Sequence, residues 1–125
     1  MRALQLHGDR DLRLVETAEP GAPGPGEVQI AVGHVALNHI DVWGYRGMAF
    51  AKRQLPLVVG AEGSGSIVAV GAGVEGLKVG DRVAMYGALT CGECRNCRRG
   101  IDNLCEEVKG VYGFHIDGFA RERLN

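Results

Sequence analysis

Apolar and polar residues alternate at the start of the chain. Leu4 and Leu6 are separated by polar neighbours, His7 to Arg10 offer turn formers, and Leu12 and Leu14 alternate again. That period of two predicts a β-hairpin with one buried face. EPGAPGPGE then interrupts the pattern, because proline donates no backbone hydrogen bond and glycine favours turns. In EVQIAVGHVALN, Val28, Ile30 and Val32 share a face and the apolar set then shifts to Val35 and Leu37. A one-residue slip at Gly33-His34 predicts a β-bulge. NHIDVWGYRG reads as a short helix, with Asn38 as N-cap and Asp41 in the first turn. Leu57 to Val59, GSGSIVAVG and DRVAMYG, with Val83 alternating with Met85, read as three further strands. Short strands, bulges and glycine corners at this spacing predict a compact, mostly β barrel with short helices.

Composition agrees with that reading. The 125 residues suit one domain, and 20 glycines with 4 prolines provide many turns. Lys plus Arg is 14 and Asp plus Glu is 15, a net charge of -1 that offers no field for nucleic acid or an anionic membrane. The N-terminal sixteen residues carry no apolar run long enough for a signal peptide or a membrane span, so a soluble, cytoplasmic protein is expected. Gly71, Gly73 and Gly76 match G-x-G-x-x-G, yet only LKV separates them from Gly80-Asp81 and a new strand. A dinucleotide site needs a helix to begin at that turn, so the match is read as a glycine-rich turn, and no coenzyme-binding unit is evident.

The chemistry lies in CGECRNCRRGIDNLC, residues 91 to 105. Cys91, Cys94, Cys97 and Cys105 follow C-x2-C-x2-C-x7-C and are all the cysteines in the chain. Thiolates at this spacing can converge on a tetrahedral ion with Zn–S distances of about 2.3 Å, and four of them close a structural zinc site. Two disulfides would suit a secreted protein and would cross-link little of the fold, and a thioredoxin-type pair needs a βαβ setting that is missing. Zinc is therefore the favoured reading, with the disulfide and redox readings behind it. Four thiolates on Zn²⁺ leave a net charge of about -2, which Arg95, Arg98 and Arg99 could offset, unless they are solvated loop charges. Structural zinc can supply ~10–16 kcal/mol to a segment that has almost no apolar residues.

The cysteine run, with PGPGEVQIAV, ALNHIDVWGYRG, LPLVVGAEGSGSIVAVG, VEGLKVGDRV and DGFARE in order, resembles the N-terminal domain of the medium-chain dehydrogenase/reductase superfamily, the zinc-type alcohol dehydrogenases and quinone oxidoreductases. The resemblance covers nearly all of residues 1–125. It implies a GroES-like, partly open β-barrel with the lobe at about 91–105 as a structural zinc site, one zinc per chain. It also implies that a Rossmann domain binding NAD(P) follows, beyond the end of this chain. Such a piece alone is expected to be inactive, and the full-length protein to be a homo-oligomer acting on a small molecule.

Metal-dependent relatives hold a catalytic zinc with Cys at the position of Asn38 and His at that of Ala61, and relay protons through a hydroxyl where this chain has Ile40. The resemblance thus implies that the catalytic metal is missing and that Asn38, as in quinone oxidoreductases, polarises a carbonyl; Asn38 as a plain helix cap stands beside this. Asp41 and Glu62 match the acidic positions flanking that site. His39 could reach substrate or stay a surface residue, Trp43 and Tyr45 could line the cleft or serve packing, and His115 is given no role. The expected activity is hydride transfer to a quinone, enone or activated carbonyl. A zinc alcohol dehydrogenase with unusual ligands and a non-enzymatic GroES-like binding module are the alternatives.

Overall fold

The computed structural model describes residues 1–48 and 53–125. Strands β1 (Arg2–Gly8) and β2 (Asp11–Glu16) form the predicted hairpin, with Leu4 opposite Leu14 and Leu6 opposite Leu12. The single buried face expected of it is not what forms. Ala3 and Leu6 of β1 are buried, whereas Leu12 and Leu14 are 41% and 69% exposed. The sheet order is β2-β1-β4, where β4 is Leu57–Val58: β1 is central, and β2 is an outer edge whose leucines stay exposed.

The second sheet is built on β3 (Val28–Ala36) and β5 (Glu62–Val70), flanked by β6 (Arg82–Met85) and β9 (Arg123–Leu124) in the order β6-β5-β3-β9. The register between β3 and β5 slips at Val32/His34, the bulge that the apolar pattern predicts, and again at Gln29/Ile30. Before the bulge, Val28, Ile30 and Val32 face Phe119, Leu124, Val83 and Met85 in the core. After it the strand leaves the core, and Leu37 is 75% exposed. The chain around Ala120 to Glu122 ties the two sheets together: the Leu4 N–H donates to the Ala120 carbonyl (2.8 Å) and the Val32 N–H to the Glu122 carbonyl (3.0 Å). The sheets stay open among the described residues, and no described helix is long and apolar enough to cross a membrane.

Helix α1 (His39–Tyr45) starts at Asn38 as the sequence predicts, with the Asp41 carboxylate accepting the Asn38 main-chain N–H at 2.9 Å. Gly71, Gly73 and Gly76 lie in turns followed by β6 rather than by a helix. A Cβ on Gly71 would strike the Gly24 carbonyl, so this glycine serves chain packing. Two further short strands, β7 (Ala88–Leu89) and β8 (Gly110–Val111), pair antiparallel and form the stem of the cysteine lobe.

Candidate metal centre and cleft

Residues 91–109 contain no buried residue, so this lobe has no apolar core of its own. What it has is sulfur. The four Sγ atoms of Cys91, Cys94, Cys97 and Cys105 lie within 4.8 Å of one another. Cys91 Sγ is 3.6 Å from that of Cys105 and 4.0 Å from that of Cys97. A tetrahedron of Zn–S bonds of about 2.3 Å sets its sulfurs about 3.8 Å apart, so the cluster has the right size for the ion. A disulfide needs S–S of about 2.05 Å, and the cysteines are free thiols.

Two tight turns, Cys97–Arg99 and Asp102–Leu104, bring the ligands round. Main-chain N–H groups also point at the sulfurs: Cys94 to Cys91 at 3.3 Å, Cys91 to Cys105 at 3.4 Å, Cys97 to Cys94 at 3.5 Å and Glu107 to Cys105 at 3.4 Å. Such donors favour thiolate. The main-chain N–H groups of Cys97 and Glu106 hold the Cys94 thiol down at about 6, while partial desolvation and the neighbouring thiols push Cys97 up to about 12. Crowded thiols do not ionise together unaided; a divalent cation removes that conflict. Arg95, Arg98 and Arg99 are exposed, as solvated charges would be. Four protein ligands would leave zinc no open position, so a zinc held there would supply cohesion rather than catalysis.

A separate open cleft of about 530 Å³ is lined by Asn38, His39, Ile40, Ala61, Glu62, Met85, Tyr86 and Gly87. Its frame is Asp41, only 8% exposed. One carboxylate oxygen accepts the Asn38 N–H and the other accepts the Gly60 N–H at 3.0 Å, which locks the helix start to the chain leading into β5. Gly60 is required there: its φ is +96°, and a Cβ would come within 3.0 Å of the Ala120 nitrogen. The Asn38 Nδ2 donates to Glu62 Oε2 at 2.9 Å.

Of the residues singled out in the sequence, Asn38, His39, Ile40, Ala61 and Glu62 meet in this cleft. Trp43 lies one helical turn from His39, with ring centroids 6.1 Å apart and planes 29° apart. Tyr45 lines a different hollow with Arg10, Arg46 and Met48, and His115 accepts the Val111 N–H through Nδ1 at 3.1 Å. Met85, Tyr86 and Gly87 were not legible as cleft residues. The only signal was their place at the end of the DRVAMYG strand, and pairing of β6 with β5 decides which end faces Asn38.

An open, mostly β domain with a four-sulfur lobe and a cleft at a helix start belongs to the class of GroES-like dehydrogenase domains. The sequence pattern of the family described as alcohol dehydrogenase GroES-like domain matches residues 24–124, and the chain belongs to that family, within the medium-chain dehydrogenase/reductase superfamily. Among its relatives, the L-threonine 3-dehydrogenase of Deinococcus deserti is 40% identical over 99% of this chain and 36% of its own length. Among solved structures, an NAD-dependent alcohol dehydrogenase is 42% identical with a TM-score of 0.86, over 99% of this chain and 36% of the other. The cobalt- and zinc-bound thermostable alcohol dehydrogenase from Pyrobaculum aerophilum is 37% identical with a TM-score of 0.84, over 99% and 38%. The chain thus spans little more than a third of the length of these proteins.

Proposed function

We propose that this chain is the substrate-side domain of an NAD(P)-dependent medium-chain oxidoreductase that reduces a quinone, enone or other activated carbonyl, with one structural zinc and none at the reacting centre. The observation that carries this reading is the donor set of the cleft. Asn38 and Ala61 occupy the positions of the thiolate and imidazole ligands expected of metal-dependent relatives, and an amide and a methyl group are poor zinc ligands. Asp41 is no substitute, since both its carboxylate oxygens are taken by main-chain N–H groups.

An unactivated alcohol needs a Lewis acid to stabilise its alkoxide, whereas an enone or quinone accepts hydride once a hydrogen bond polarises its carbonyl. A bound nicotinamide supplies that hydride. Asn38 donates the hydrogen bond from Nδ2, and Asp41 holds the helix start that presents it. His39, with Trp43 beside it, and Tyr86 contact the body of the small-molecule substrate. The coenzyme domain lies elsewhere in a longer, homo-oligomeric protein. Unpaired thiols in the lobe suit a reducing cytoplasm.

The names of the relatives, NAD-dependent alcohol dehydrogenase and L-threonine 3-dehydrogenase, support a nicotinamide coenzyme. They also favour a second reading, an alcohol dehydrogenase whose catalytic zinc uses other ligands, for which Asp41 and Glu62 are the nearby candidates and Glu62 is the one not held by main-chain N–H groups. Metal content of the full-length protein and its reduction of 1,4-benzoquinone by NADH or NADPH separate the two. One zinc per chain with quinone reduction supports the first; two zincs with alcohol oxidation would overturn it.

A further inference from the structure

Glu62 is the first residue of β5 and pairs in register with Ala36, two residues before Asn38. The Glu62 main chain is therefore anchored to one side of the cleft by the sheet ladder, and the Gly60–Asp41 hydrogen bond fixes the chain just before it. From the other side, the Asn38 main chain is fixed by Asp41. With both main chains held, the side-chain torsions of Asn38 and Glu62 are what the hydrogen bond between them sets. Among the described residues, Asn38 Nδ2 is the hydrogen-bond partner of the Glu62 carboxylate, at 2.9 Å.

An amide has two faces of opposite polarity, an NH₂ that donates and an oxygen that accepts. Which face a substrate carbonyl meets decides whether Asn38 helps or repels it. An ionised carboxylate only accepts, so it selects the NH₂ and turns the amide oxygen away. We propose that Glu62 is a positioning residue that sets the orientation of the Asn38 amide, holding one N–H and leaving the second to donate to a substrate carbonyl. This rests on the reading of Asn38 as the carbonyl-polarising group. Glutamine at 62 would both donate and accept, and would let the amide turn over, although its size is the same.

The test uses the full-length protein with E62A, E62Q, N38A and the N38A/E62A double variant. With 1,4-benzoquinone and NAD(P)H, E62A and E62Q are each expected to lose about tenfold in kcat/KM, with the KM for coenzyme unchanged. The double variant should be no worse than N38A, because Glu62 acts through Asn38. Additive losses would overturn the proposal, as would full activity in E62Q. A second measurement reads the anchor without turnover. In ¹⁵N-labelled protein, one side-chain amide proton of Asn38 should be shifted downfield by its hydrogen bond to Glu62 and move towards the free-amide position in E62A and E62Q; unchanged signals would overturn the proposal. A wild-type enzyme inert towards benzoquinone would defeat the functional reading, while the Asn38 amide signals would still decide for or against the anchor.

Discussion

The Gly60 N–H donates to Asp41 Oδ1 at 3.0 Å across 19 residues of sequence, and so joins the start of α1 to the chain that enters β5. The other carboxylate oxygen serves Asn38. One buried carboxylate thus holds both walls of the cleft.

Replacing it has a large expected effect. D41A leaves two main-chain donors without their acceptor, each costing ~1–3 kcal/mol when buried. A loss of about 3 kcal/mol in unfolding free energy is expected from urea denaturation of the full-length protein. D41N, which keeps the shape and one acceptor oxygen, should lose less.

Phe114 has no exposed surface, packs edge-on to His115 with centroids 5.0 Å apart, and lies beneath the Arg53 guanidinium at 5.2 Å. F114A should destabilise by about 3–5 kcal/mol through lost burial and the cavity left behind. F114L should recover more than half of that. An F114A midpoint equal to wild type would contradict the packing described here.

Metal removal should act on one region. The full-length protein should contain one zinc per chain, lost in C91S and C105S, and a strong chelator should raise hydrogen exchange in residues 91–109 while β3 and β5 keep their protection. Fast exchange in the lobe with zinc bound would count against the metal as its core.

At the molecular edge, Arg2 Nη2 lies 2.7 Å from Glu122 Oε1, and the Arg2 main-chain N–H donates to Oε2 at 2.8 Å. The Arg2 main-chain N–H first, then its guanidinium, hold the Glu122 carboxyl below its ordinary value of 4.5. Because the folded value is depressed, the contribution is present above about 4.5 and is lost as pH falls through the folded value. E122Q should lower the melting temperature slightly at pH 7 and not at all in strong acid. The pair is exposed, so added salt should shrink the difference.

The strand-helix order was readable because apolar alternation and turn formers are local properties. The bulge at Val32/His34 showed as a slip in the apolar register, and the Asn38 start of α1 showed as a capping residue three positions before Asp41. The lobe was legible for a different reason: four cysteines in a polar run have few stable uses, and spacing alone lets them converge. By contrast, the hairpin pattern of Leu12 and Leu14 predicted burial that β2 does not achieve, since a period of two gives a face but not its neighbour.

The sequence by itself determined the mostly β class, the longer strands, the helix cap and the clustering of the four cysteines, because each depends on residues close together in the chain; the short strands β7, β8 and β9 carry no such local pattern. Tertiary structure decided that Glu62 meets Asn38, that Tyr86 faces the same cleft, and that Tyr45 does not. The first two depend on the pairing of β5 with β3 and β6, and the third on the packing of the end of α1 beside Arg10, contacts between residues far apart in sequence that no local pattern encodes.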